Sequence, residues 1–170
     1  AMASVTDYKN YNIWIDNKLT PIIPRSVQDD LNFEQRMLLS DRTFVSISLK
    51  EAQWDLPKYL ENIVNQDSSS DTSLTYIGPF YICIDIAHGT LSELYEACRN
   101  LKDKYEKRVI IMAGNVANPG AYQFYADAGI DWMRVGIGGG SRCTSSANVS
   151  IHYPMATLLD QLNDERKAYA

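Results

Sequence analysis

The amino-acid sequence predicts an α/β fold built on a parallel sheet, and three observations support this prediction. Short apolar runs rich in β-branched residues recur at regular intervals along the 170-residue chain. The runs are almost continuously apolar, which is typical of strands buried on both faces in parallel sheets. Helix-length segments with start and stop signals separate the runs. About five strand–helix units in alternation therefore indicate one α/β domain.

Five apolar segments are predicted as strands. They cover residues 19–24, 43–49, 80–86, 109–113 and 132–137. The first is the weakest of them, because Pro21 and Pro24 have no backbone N–H to donate to a neighbouring strand.

Five segments are predicted as helices. They cover residues 29–39, 56–64, a stretch after Thr90, residues 118–129 and residues 154–162. Thr90 and Glu93 have the spacing of a capping box. Asn118 is placed as an N-cap before Pro119, and Gly129 is placed as the left-handed residue that ends the same helix.

Domain organisation follows from these elements. Residues 5–170 are predicted to form a single domain, with a solvated Ser-rich loop at 65–75. Residues 1–4 are interpreted as a vector scar or tail, because Ala1 precedes Met2.

Composition excludes several classes of protein. The 16 basic and 21 acidic residues show no basic cluster that would bind a nucleic acid. The apolar runs are much shorter than the roughly 20 residues of a membrane helix, and no signal-peptide pattern opens the chain. Cys83, Cys98 and Cys143 show no metal-ligand spacing, which suits a reducing cytoplasm. Cys83 and Cys98 are predicted as core residues.

Unusual residues follow the predicted strands, at the edge where parallel α/β proteins bind ligands. Asp85 and His88 follow the third strand, and a glycine-rich loop at 136–140 leads to Cys143. Such a loop can present N–H groups to an anion or carbonyls to a cation. Cys143 is either a nucleophile or buried filler, and His88 is either a base or a hydrogen-bonded loop residue. Asp85 is equally explained as a residue that only caps the next turn.

Five motifs in order along the chain resemble the IMP dehydrogenase/GMP reductase family. They are Ile-Asp-Ile-Ala-His-Gly at 84–89, Ala-Gly-Asn-Val at 113–116, Asp-Ala-Gly-Ile-Asp at 127–131, the loop at 135–144 and Tyr-Pro at 153–154. The resemblance implies a partial (β/α)₈ TIM barrel, in which these units match the second to the sixth. It also implies purine metabolism, with GMP or IMP as substrate and NADPH or NAD as cofactor. Ala-His-Gly, Ala-Gly-Asn-Val and Tyr-Pro favour the GMP reductase type over IMP dehydrogenase.

The resemblance also implies roles for individual residues. Cys143 is expected to attack C2 of the purine ring, with Ser145 and Arg25 as further catalytic residues. The residues expected to bind the substrate are Ser141, Gly138, Asp85 and Asn115. Those expected to bind the cofactor are Asp85, His88 and Gly114. The expected K⁺ ligands are the backbone carbonyls of Gly138, Gly140 and Cys143.

Some features depart from the family. His152 and Met155 stand where the family usually has Gly and Gln, and the first, seventh and eighth barrel units are not recognisable. Unpaired sheet edges invite association, so a homo-oligomer or a completing chain is expected. Three interpretations stay open: an enzyme completed by another chain, a fragment of an enzyme, or a degenerate remnant that binds a nucleotide or a protein.

Overall fold

The computed structural model describes residues 6–25, 31–41, 43–67, 79–138 and 152–169. Within them five parallel strands form one sheet in chain order, β1-β2-β3-β4-β5. The strands are β1 (Ile22–Ile23), β2 (Phe44–Ile47), β3 (Phe80–Asp85), β4 (Val109–Val116) and β5 (Trp132–Val135). Among the described residues β1 and β5 are the edges and the sheet is not closed. The predicted parallel α/β architecture, an open part of a (β/α)₈ barrel, is confirmed.

Six helices accompany the strands in the described part of the chain. They are α1 (Tyr11–Asp16), α2 (Phe33–Met37), α3 (Leu56–Asp67), α4 (Ser92–Tyr105), α5 (Ala121–Asp127) and α6 (Met155–Tyr169). A π-helical turn at Glu51–Asp55 leads into α3, and a 3₁₀ turn at Glu106–Arg108 leads into β4. The short helix α1 was not predicted, because it buries no residue and therefore lacks a clear apolar stripe.

Several element boundaries differ from the prediction. β1 is only two residues long, since Pro21 and Pro24 flank it and limit its pairing. The Thr90–Glu93 capping box is wrong: Leu91 is the N-cap of α4 and no side chain caps the helix. Asn118 does accept a hydrogen bond from the Gly120 N–H at 3.0 Å, but α5 begins only at Ala121.

Both faces of the sheet carry apolar side chains, but they are covered differently. On one face, strand residues such as Val45, Ile82 and Ile111 join helix residues in the larger buried cluster. On the opposite face, Phe44, Cys83 and Met112 form a smaller cluster with strand residues alone. The fold therefore places its helices on one face and leaves the other face to the interior of the barrel that the sheet partly encloses.

A clamp of four polar groups joins α4, β4 and the loop before β5. The Asp131 carboxylate accepts hydrogen bonds from the Ile111 N–H at 2.8 Å and from Lys102 Nζ at 2.9 Å. Lys102 Nζ also donates to the Val109 carbonyl at 3.1 Å. The clamp therefore ties the amino end of β4 to the helix that precedes it.

Replacing Asp131 with alanine is expected to lower the free energy of unfolding by about 2 kcal/mol, because the part-buried Ile111 N–H loses its acceptor and Lys102 loses the carboxylate that neutralises its charge. Urea denaturation measures this change. Asp164→Ala is the control, since its ion pair with Lys167 is 61–68% exposed. The control is expected to change stability by less than about 0.5 kcal/mol. Equal losses in the two variants would contradict the clamp.

Candidate active site

The carboxyl ends of β3, β4 and β5 bring the polar residues of the site to one edge of the sheet. Asp85 is paired in register with Gly114, and Gly114 with Arg134. These three residues therefore lie side by side on neighbouring strands. Because alternate strand residues share a face, Cys83, Asp85 and Arg134 all point away from the helices.

An ion pair between Asp85 and Arg134 is the electrostatic centre of this edge. Arg134 Nη1 lies 2.6 Å from Asp85 Oδ1 and 3.8 Å from Cys83 Sγ. Ser46 Oγ donates to the second carboxylate oxygen, Asp85 Oδ2, at 3.3 Å. The two charged side chains are 30% and 19% exposed, so both are partly desolvated.

The charge state of Asp85 follows from this environment. Burial is the largest influence and acts to raise the pKa of Asp85, but the positive charges near the carboxylate, of which Arg134 is the first, together hold the pKa below its ordinary value. Asp85 is therefore an ionised hydrogen-bond acceptor at neutral pH. Burial raises the pKa of the neighbouring Cys83 thiol to about 11, so this thiol is neutral.

Asn115 connects β4 to the beginning of the glycine-rich loop. Its side-chain amide donates to the Gly136 carbonyl at 2.9 Å, and the Gly136 N–H donates to the Val116 carbonyl at 2.7 Å. The Gly114–Asn115 peptide bond is cis. β4 runs through both residues to Val116, so they belong to the strand itself rather than to a loop after it.

The segment after β3 is held against β4 at two points. The Ile86 N–H donates to the Gly114 carbonyl at 2.9 Å, and the Gly89 N–H donates to the Asn115 carbonyl at 3.0 Å. His88 is exposed between these points, with Nδ1 3.4 Å from Thr90 Oγ1. His88 thus lies on a loop that is held against β4, three residues after Asp85, and its cofactor-binding role stays a prediction.

Met155, at the start of α6, lies against Gly136. Its Cε is 2.1 Å from the point where a Cβ on Gly136 would be, and Gly136 has a φ of +105°. The flexible Met155 side chain can move away from an added Cβ, so the positive φ is what favours glycine at this position. Gly138, a predicted substrate and K⁺ ligand, is half-buried two residues further along the loop.

Other predicted site residues are not brought into this arrangement by the described structure. Arg25 is exposed two residues after the end of β1, outside the hydrogen bonds and ion pairs described for this edge. Four predicted residues lie outside the described residues: Gly140, Ser141, Cys143 and Ser145. Their catalytic, substrate and K⁺ roles stay predictions.

Sequence reasoning missed two residues of this edge, Ser46 and Arg134. Arg134 is a lone cation inside an apolar strand, and a charge at such a position is almost always paired. The lone cation could therefore have predicted an ion pair, and Asp85 at the end of another apolar run was a candidate for its partner. Ser46 gave no comparable signal, because a serine within a strand is common.

Three further structural findings bear on the class of protein. Cys83 and Cys98 are fully buried, as predicted, and burial raises the pKa of Cys98 to about 12. In the described ranges no three His, Cys, Asp or Glu side chains group as a metal site would need. None of the helices described has the length and apolar character needed to cross a bilayer.

An open set of parallel β/α units with an ionised carboxylate, a guanidinium and an amide at its carboxyl edge has the architecture of barrel-type α/β proteins, which carry their functional residues at that edge. Residues 63–169 match the model of the IMP dehydrogenase / GMP reductase domain. The chain belongs to this family.

Individual relatives agree with the family match. The chain is 35% identical over 112 residues to a GMP reductase of Oenococcus oeni, covering 66% of this chain and 30% of that protein. It is 26% identical over 161 residues to a GMP reductase of Shewanella pealeana, covering 85% and 46%. An inosine-5′-monophosphate dehydrogenase of Chlorobaculum tepidum is 34% identical over 95 residues, covering 56% and 19%. The chain thus spans less than half the length of these relatives.

A solved structure supports the fold. The inosine 5′-monophosphate dehydrogenase of Legionella pneumophila superposes with a TM-score of 0.65 at 23% identity, covering 92% of this chain and 44% of that one. This likeness confirms the partial TIM-barrel architecture that the family resemblance implies.

Proposed function

We propose that this chain carries the nucleotide and cofactor site of a purine nucleotide oxidoreductase of the GMP reductase type, which converts GMP to IMP with NADPH. The observation that carries the proposal is the arrangement of Asp85, Arg134 and Asn115 at one edge of the sheet. Two relatives named GMP reductase, whose alignments cover 66% and 85% of this chain, support the same type of reaction.

The described residues fit a nicotinamide nucleotide chemically. The ionised, part-exposed Asp85 carboxylate can accept hydrogen bonds from ribose hydroxyls, as carboxylates in dinucleotide sites do. Asn115 and the exposed His88 add polar groups beside it, and Gly114 lets the β4 backbone approach closely. When bound, the cofactor supplies a hydride, and these residues orient it and fix the charge around it.

Covalent catalysis is assigned to Cys143. Its thiolate would form a bond to C2 of GMP as the 2-amino group leaves, protonated, as ammonia; after hydride reaches C2, the S–C bond breaks and restores the thiolate. Ser145 would assist the leaving amine, Ser141 and Gly138 would bind the nucleotide, and Arg25 would lie near the same edge. The carbonyls of Gly138, Gly140 and Cys143 are the proposed K⁺ ligands.

The remainder of the barrel is proposed to come from another chain, from a second copy or from further residues of the same protein. The basis is that the chain covers less than half of its relatives and that β1 and β5 are open edges in the described structure. We place the activity in the cytoplasm, where purine nucleotides and reduced cofactor are available.

The direct test follows absorbance of the reduced nicotinamide after mixing the protein with GMP and NADPH, with and without K⁺. Consumption of NADPH is expected, and Cys143→Ala is expected to lower it by about 10⁴-fold or more. The matched control is Cys98→Ala, which removes a buried thiol on α4 and is expected to lower stability but keep activity. Turnover that survives Cys143→Ala would contradict the nucleophile assignment.

Two other functions are decided by the same experiment. Reduction of NAD with IMP, without GMP-dependent oxidation of NADPH, would assign IMP dehydrogenase, a type that the Chlorobaculum relative supports. Binding of a purine nucleotide in calorimetry without turnover would assign a degenerate barrel that has kept a binding role. Failure to bind any of these nucleotides would exclude the nucleotide-binding version of the degenerate barrel and leave its protein-binding version.

A further inference from the structure

The hydroxyl group of Tyr125, on α5, is buried without a hydrogen-bond partner. The residue is 2% exposed, and its Oη is the one fully buried side-chain oxygen or nitrogen left unpartnered in the part of the chain that the structure describes. A buried hydroxyl without a partner destabilises the protein relative to a phenylalanine of the same shape. The fold alone therefore gives no reason for a tyrosine at this position.

The hydroxyl lies directly under the loop that carries His88. A Cβ on Gly89 would be 2.6 Å from Tyr125 Oη and 2.7 Å from the Asn115 carbonyl oxygen. The phenol and this carbonyl thus face the same gap beneath Gly89. The carbonyl already accepts the Gly89 N–H at 3.0 Å, and burial raises the pKa of Tyr125, so the phenol keeps its proton for donation.

We propose that Tyr125 is a positioning residue that replaces Gly89 as the donor to the Asn115 carbonyl when ligand binds. In the structure the Gly89 N–H donates to that carbonyl and the phenol donates to nothing. On binding, the Gly89 N–H turns to an acceptor oxygen of the nicotinamide nucleotide, and Tyr125 Oη–H takes its place. The inference rests on the proposed function, because the ligand is the cofactor of the Asp85 edge.

This exchange explains why the hydroxyl is useful only in the bound state. Without Tyr125, the part-buried Asn115 carbonyl would lose its donor whenever Gly89 turns to the ligand, and an unpaired carbonyl away from solvent is costly. With Tyr125, both groups are paired after binding. In the free protein the unpaired hydroxyl lowers stability, and in the bound protein its hydrogen bond to the carbonyl restores that stability.

The test is the Tyr125→Phe substitution in the full 170-residue chain. The dissociation constant for NADPH, measured by calorimetry, is expected to rise about fivefold, which is the loss of one hydrogen bond. The thermal unfolding midpoint of the free protein is expected to stay the same or to rise. A merely structural tyrosine would instead lower the midpoint and leave affinity unchanged.

A matched control is available in Tyr105→Phe. Tyr105 is also buried, but it lies at the end of α4, before the amino end of β4, and its hydroxyl donates to the Pro57 carbonyl at 3.1 Å. This variant is expected to lower the unfolding midpoint and to bind NADPH as the wild type does. In ¹⁵N-glycine-labelled protein, the Gly89 amide resonance is expected to shift on addition of NADPH.

The outcomes separate the two proposals. Wild-type protein that binds neither NADPH nor NAD overturns the proposed function, and this inference with it. Wild-type binding with an unchanged affinity in Tyr125→Phe overturns the inference alone. A Gly89 amide resonance that does not respond to bound cofactor also overturns the exchange of donors.

Discussion

Replacing Gly114 with alanine is expected to lower the free energy of unfolding by about 3 kcal/mol or more, because overpacking and backbone strain add at this position. A Cβ on Gly114 would be 2.5 Å from the Arg134 carbonyl oxygen and 2.7 Å from the Arg134 Cβ. Its φ of +146° is also one that residues with a side chain rarely adopt. Urea denaturation followed by far-UV circular dichroism measures the loss.

The control for this substitution is Gly120→Ala. Gly120 precedes α5 with a φ of −61°, and the nearest atom to an added Cβ, an Asn118 oxygen, is 3.5 Å away. The control is expected to change stability by less than about 1 kcal/mol, in either direction. A Gly114→Ala protein as stable as the control would show that β4 and β5 separate easily at this edge, and would contradict the close approach of the two strands.

The strands and the parallel sheet could be predicted because burial on both faces leaves a direct mark on the sequence. Runs such as 80–86 and 109–113 are almost continuously apolar, and each became a strand with a boundary shift of three residues or fewer. Caps were harder to predict, because several residues compete for them. Asn32 and Gln35 form the capping box of α2, whereas Thr90, which has the same kind of pattern, does not cap α4.

The site could be predicted where chemistry falls at a strand end, and could not where it depends on contact between distant strands. Asp85 and His88 were singled out from their places after an apolar run, and the family resemblance implied Asn115; the roles of all three stay predictions. Arg134 was missed, since its pairing with Asp85 joins residues 49 positions apart and depends on the register of three strands. The unpartnered hydroxyl of Tyr125 could not be predicted either. Helical spacing shows which face of a helix a residue occupies, but it does not show whether a buried polar atom finds a hydrogen-bond partner.

The Asp85–Arg134 pair shows how one interaction can serve both stability and ligand binding. Removing a single partner from a desolvated pair leaves an uncompensated charge, which costs more than the pair contributes. Here the two side chains are 30% and 19% exposed, so solvent reduces that cost but does not remove it. The pair also sets the charge of Asp85, and the proposed contact to a ribose needs that charge.

Replacing Arg134 with methionine is expected to lower the free energy of unfolding at pH 7 by about 2 kcal/mol, less than for a fully buried pair because the site is partly solvated. The pKa of Asp85 should then rise, since burial is its largest influence and raises it once the guanidinium is gone. Binding of NADPH at pH 7 should weaken in the same variant. Urea denaturation between pH 3 and 8, with calorimetry at pH 7, measures the three effects.

The direction in which the stability difference changes with pH follows from the pKa of Asp85 in the folded and unfolded states. In the wild type the folded pKa of Asp85 lies below the unfolded one, so its contribution is present above the unfolded pKa and is lost as pH falls through the folded pKa. In Arg134→Met the guanidinium no longer lowers the folded pKa of Asp85 while burial still raises it, so less of this contribution is present at pH 7. The stability difference between the two proteins should therefore shrink on acidification.

A second substitution separates the charge effect from lost packing. Adding Asp85→Asn to Arg134→Met removes the uncompensated carboxylate, so the double variant is expected to recover about 1 kcal/mol at pH 7 and to lose the altered pH dependence. Its affinity for NADPH should stay low, because the ionised acceptor is absent. If the double variant were no more stable than Arg134→Met at any pH, the loss would come from packing around Cys83 and Met112 rather than from the charge of Asp85, and the electrostatic account of this edge would be wrong.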